Sequence, residues 1–97
     1  MEPKFRLGRL VATPGVINAL EQASQTAEHF LSLHVSGSWG DLDAEDRKAN
    51  DLAIASEGDP DKQSRVFSAY RTRDNVKLWV ITEHDRSVTT ILLPEEY

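Results

Sequence analysis

The sequence predicts an α+β fold in a single domain, residues 1–97, with about three helices packed on one face of a C-terminal antiparallel sheet of three or four strands. Three observations carry that expectation. Residues 66–70, 76–82 and 88–93 are short runs rich in β-branched and aromatic side chains. They are joined by the turn-forming stretches Asp74-Asn75 and His84-Asp85-Arg86-Ser87, which makes the last third of the chain a meander. Upstream, apolar residues recur at helical spacing in three stretches, each opened by a capping residue.

Taken in order, residues 5–12 read as a short strand weakened by Gly8. Thr13-Pro14 starts a helix, because threonine can accept from free N–H groups and proline is tolerated at the first helical position. Val16, Ile17, Leu20 and Ala23 follow at helical spacing. Ser24-Gln25-Thr26 offers a second cap, and Ala27, Phe30, Leu31 and His34 share one stripe until Gly37 ends the helix. Gly37 and Gly40 flank Trp39, which is expected to plug the end of the core. Asp43 caps a third helix with Asp46 at its third position, where a carboxylate complements the helix dipole. Its inner stripe reads as Ala49, Leu52, Ala53 and Ser56, and Gly58 with Asp59-Pro60 ends it. Pro94 stops the last strand.

Turn lengths set the register. A two-residue loop at Asp74-Asn75 places Tyr70 opposite Trp79, and a turn centred on Asp85-Arg86 places Ile81 opposite Thr90 and Trp79 opposite Leu92. Alternation then gives one apolar face (Phe67, Ala69, Leu78, Val80, Ile91 and Leu93) for the helices. The other face carries Ser68, Tyr70, Trp79 and Thr90 among apolar groups, and is the expected working surface.

Composition narrows the chemistry. With 39% hydrophobic residues the core is modest, and no apolar run is long enough for a membrane span. The first residues lack the apolar stretch of a signal peptide, so a cytoplasmic location is expected. Cysteine is absent, which removes disulfides and thiolate chemistry. His29 and His34 are five apart and do not share a helical face, and residues 41–45 lack calcium-loop spacing, so no metal is expected. No phosphate loop, glycine-rich dinucleotide motif or nucleophile elbow is present, and no cofactor is expected.

Charge is distributed unevenly around a net −5. Residues 41–61 hold eight acids against two bases, whereas residues 62–86 hold six bases against three acids. The acidic segment, with Asp43, Glu45 and Asp46, suits docking on a basic protein partner. Arg71 and Arg73 at the hairpin tip, with Tyr70 and Trp79, suit RNA or single-stranded nucleic acid. The sheet edge or the Tyr70/Trp79 face suits a homodimer. His34 reads first as a helix-end histidine, satisfied by a backbone carbonyl or favoured by the helix dipole, and in the sharper reading as a general acid or base.

Three stretches carry a resemblance: residues 7–15 (LGRLVATPG), 33–42 (LHVSGSWGDL) and 78–97 (LWVITEHDRSVTTILLPEEY). They resemble a family of small bacterial proteins carried on plasmids, integrative elements and prophages, labelled "plasmid-related protein" or type I restriction subunit M. The resemblance implies a mobile-element context. A methyltransferase role conflicts with the missing cofactor loop. The order of helices followed by an antiparallel sheet is also similar to the barnase–EndoU–colicin–RelE-like nucleases, whose metal-free RNA cleavage would fall to His34, Arg86 and Thr90. The expected function is a non-enzymatic binding or regulatory protein of a mobile element, interfering with a host defence or nucleic-acid enzyme. A metal-independent RNase or toxin is the alternative.

Overall fold

The computed structural model describes residues 3–59 and 61–97; Met1, Glu2 and Pro60 lie outside that set, and with Pro60 goes half of the expected Asp59-Pro60 helix stop. The fold is α+β, as the sequence predicts. Strand β1 (Arg9–Ala12) leads into helices α1 (Pro14–Ala23), α2 (Ala27–Val35) and α3 (Ala44–Ala55). Strands β2 (Val66–Arg71), β3 (Lys77–Thr82) and β4 (Val88–Leu92) follow, and a 3₁₀ turn at Pro94–Glu96 ends the chain. The strand order is β1-β4-β3-β2. The last three strands form the expected antiparallel meander, and β1 adds parallel to β4, so the whole sheet is mixed. A parallel pair needs a long connection, which the three helices supply.

The caps form where the sequence places them. Thr13 accepts from Val16 N, Thr26 from His29 N, and Asp43 from Asp46 N. Helices α1 and α2 lay Val16, Leu20, Phe30 and Leu31 on Tyr70, Leu78, Val80 and Ile91 of the sheet. A second cluster joins Phe5, Trp39, Ala53 and Val66, with Trp39 plugging the core as expected.

Helix α3 departs from its expected inner stripe. Asn50 and Ala53 are buried, whereas Leu52 is 59% exposed. The reason is that α3 packs against the rim of β2. The Asn50 amide donates to Phe67 O at 2.5 Å, and its oxygen accepts from Phe67 N at 3.0 Å. Two residues along β2, Ala69 N donates to Trp39 O at 3.1 Å and Asp41 N donates to Ala69 O at 2.7 Å. Gly40 sits between them at φ 78°, where a Cβ would lie 1.9 Å from Ala69 O. The outward backbone groups of β2 at Phe67 and Ala69 are therefore all satisfied.

The β3–β4 register is the expected one, with Trp79 opposite Leu92 and Ile81 opposite Thr90. The β2–β3 register is not. Ala69 pairs with Trp79 and Tyr70 with Leu78, one residue away from the expected alignment. The loop holds three residues, Arg73, Asp74 and Asn75, closed by Thr72 N donating to Val76 O. Asn75 takes the left-handed conformation at φ 65°. The Thr72 hydroxyl accepts from both Asp74 N and Val76 N, which stabilises the longer turn. A one-residue slip exchanges the two faces of a strand. Val66, Ser68 and Tyr70 thus point under the helices, and Phe67, Ala69 and Arg71 point to the outer face.

Replacing Asn50 with alanine would leave the Phe67 amide and carbonyl without partners at a part-buried rim. Asn50→Ala is expected to lower stability by about 1–3 kcal/mol, read as a lower urea midpoint at unchanged slope, and to raise the tendency to aggregate through the uncovered β2 edge.

Candidate functional site

The most concentrated polar chemistry lies inside the protein. His34, in the last turn of α2, is fully buried. Its Nδ1 lies 2.5 Å from Ser68 Oγ on β2, and its Nε2 lies 3.0 Å from Thr82 Oγ1 on β3. Thr82 Oγ1 lies 2.6 Å from Thr89 Oγ1 on β4, and Thr89 donates to the Leu7 carbonyl at 2.7 Å. The chain of bonds has one direction. Thr89 spends its proton on Leu7 O, so Thr82 must donate to Thr89. Thr82 then accepts from His34 Nε2–H, and His34 Nδ1 accepts from Ser68. The network therefore assigns the neutral Nε2–H tautomer. Burial, aided by the positive charge of Arg86, pushes the His34 pKa down to about 3.

His34 is thus a structural histidine, held by side-chain hydroxyls where a backbone carbonyl was expected. Phe5 stands edge-on to it at 5.2 Å between ring centroids, and the Arg86 guanidinium lies 5.6 Å from the same Phe5 ring. Arg86 is buried and fully engaged. It takes the left-handed conformation at the β3–β4 turn and forks onto Glu57 at 2.7–3.2 Å. Its remaining nitrogen donates to Ser64 O, Glu83 O and His84 O. One side chain so ties the end of α3, the connector and the turn together.

Thr90 lies on the outer face of the sheet, beside Ile81 and Leu92. The structure does not bring together His34, Arg86 and Thr90: the sheet separates His34 from Thr90, and Arg86 is consumed by five protein oxygens. The same alternation corrects the expected binding face. Ser68 and Tyr70 are buried under the helices, opposite in direction to Trp79 and Thr90. The Tyr70 phenol donates to Ser38 O at 2.5 Å, and burial pushes its pKa up to about 12 against a smaller opposing pull from the Ser68 hydroxyl. Tyr70 and Trp79 therefore form no common stacking platform. Arg71 is exposed but pairs with Asp41 at 3.2 Å and reaches Asn75. Arg73 is exposed at the hairpin tip, where its backbone N–H donates to Gln25.

The outer face holds what the sequence left undescribed. Trp79 stands edge-on to Phe67 on one side and to Tyr97 on the other, with centroids 5.2 and 5.7 Å apart. Arg65 donates to the Tyr97 hydroxyl at 3.1 Å. Two adjoining grooves of about 250 and 220 Å³ share Arg65, Ile81 and Tyr97. Glu83 and Glu96 rim the first, and Asp46 of α3 rims the second. Asp43, Glu45 and Asp46 are all exposed, with Asp43 also capping α3. Tyr97 and Arg65 give no local signal of this role, since they meet only through the folded tail. Thr82 and Thr89 were legible, because the β3–β4 register alone sets them opposite each other.

The pH dependence of stability follows from His34. Its folded pKa lies below the unfolded value near 6.5, so the unfolded chain takes up the extra proton as pH falls through that value and the native state loses stability. Between pH 7 and 5 the expected loss is about 2 kcal/mol, measurable by urea denaturation. His34→Gln, which keeps a donor and an acceptor, should be less stable at pH 7 and show a much smaller loss over that interval. Arg86→Lys cannot reproduce the forked contacts and is expected to cost about 2–4 kcal/mol, seen as a lower melting temperature. Comparison with known proteins returns no matching family model, no similar curated protein and no similar solved structure.

Proposed function

We propose that the chain is a small non-enzymatic binding protein of a mobile genetic element, which engages a basic protein surface of the host, such as a defence or nucleic-acid enzyme. The observation that carries this reading is the continuity of Asp46 on acidic α3 with the aromatic groove of Arg65, Phe67, Trp79 and Tyr97. Aromatic anchors beside a charged rim are the usual composition of an interaction hot spot. Asp46, Glu83 and Glu96 outnumber Arg65 there, so a partner presenting lysine or arginine around an apolar anchor fits best. The mobile-element context rests on the sequence resemblance. Catalysis has less support, because the candidate groups His34 and Arg86 are saturated by structural hydrogen bonds.

The test is retention of host proteins on the immobilised chain, compared with Trp79→Ala and with the double variant Glu45→Lys, Asp46→Lys. The expected outcome is a discrete set of basic proteins held by the wild type, lost by both variants and released at about 0.5 M salt, where screening shortens to a few ångströms. Equal retention by all three proteins would rule out this surface.

A further inference from the structure

The two edges of the sheet are treated differently. The β2 edge is closed by Asn50 on Phe67 and by Trp39 and Asp41 on Ala69. Among the described residues the β1 edge is open. Arg9 N donates to Ser87 O, just before β4, and Thr13 N to Ile91 O of β4, so the alternation of a parallel strand turns the amides and carbonyls of Leu10 and Ala12 outward. Leu10 is 55% exposed and Val11 38%. On the helix side, Leu10 and Ala12 line an apolar groove of about 120 Å³ with Ala27, Leu31 and Ile91. An apolar, unpaired edge is a template for another strand.

We propose that β1 pairs antiparallel with β1 of a second copy of this chain, joining two sheets into one across a two-fold axis at Val11. This register uses every outward group: Leu10 and Ala12 form hydrogen-bonded pairs with Ala12 and Leu10 of the second copy, giving four backbone bonds. Val11 meets its own counterpart at a non-hydrogen-bonded position, where side chains lie closest.

Charge favours a second copy over a foreign strand. Arg9 and Val11 point to the outer face, and Arg9 is in neither ion pair formed among the described residues. The same register sets Arg9 opposite Thr13 of the second copy. Thr13 carries the exposed Glu96 carboxylate on its hydroxyl, and among the described residues that carboxylate has neutral partners: Thr13, Gly15 N and Leu93 N. The two-fold axis therefore creates two Arg9–Glu96 pairs at once. A head-to-tail chain of β1 on β2 is blocked, because the β2 edge is already occupied, so pairing closes at two copies.

The test uses the absence of cysteine from the chain. Light scattering over a concentration series should show a monomer–dimer equilibrium, and Arg9→Glu should weaken it about tenfold through lost attraction and added repulsion. Val11→Cys should form a disulfide-linked dimer under mild oxidation, since Cα atoms at such a site lie about 4.5 Å apart, within disulfide reach. Leu52→Cys, more exposed than Val11 but on α3, is the control and should cross-link slowly. A wild-type chain that stays monomeric to its solubility limit overturns the proposal. So does a dimer in which Val11→Cys cross-links no faster than Leu52→Cys.

Discussion

The hydrogen-bonded line from Ser68 through His34, Thr82 and Thr89 to Leu7 O is the constraint on which the rest of the packing depends. It touches α2, all three meander strands and the segment leading into β1. Its four side chains are buried, so each lost bond among them leaves a polar group without water as a substitute. The line tolerates one strand alignment: slipping β2 by one residue would remove Ser68 from Nδ1 and put Phe67 or Ala69 there. Polar groups inside a small core thus select register, while the apolar contacts around them supply most of the driving force.

Arg86 extends this control to the surface. Its left-handed backbone shapes the β3–β4 turn, and its guanidinium gathers Glu57, Ser64, Glu83 and His84 around it. Phe5 fills the space between Arg86 and His34, so the start of the chain is held by the same centre. Arginine and histidine in proximity suggest phosphate chemistry on paper. In this fold the arginine raises the cost of protonating the histidine, and both are already saturated with protein partners.

The surfaces left for a partner are those the core does not use. The outer face gathers Phe67, Trp79 and Tyr97 beside the acids of α3, and the β1 edge retains unpaired backbone. Among the described residues no helix is long and apolar enough to cross a membrane. The asymmetry between a blocked β2 edge and an open β1 edge is informative, because an uncovered edge carries an aggregation hazard unless something pairs with it.

The sequence by itself determined the α+β class, the helix starts at Thr13 and Asp43 with a third within residues 24–26, and the β3–β4 register. Those signals are local: a cap acts within three residues, and the β3–β4 turn links positions seven apart. It also singled out His34, Arg86, Trp79 and the acidic start of α3 as residues of consequence. Only the tertiary structure decided what they do. A three-residue loop, made possible by the Thr72 hydroxyl and left-handed Asn75, shifted β2 by one position and moved Ser68 and Tyr70 from the outer face to the core. Helix α3 turned Asn50 inward, against its apolar pattern, because the β2 backbone required a donor and an acceptor there. Such choices are set by the hydrogen-bond needs of groups far apart in the chain, which no local pattern records.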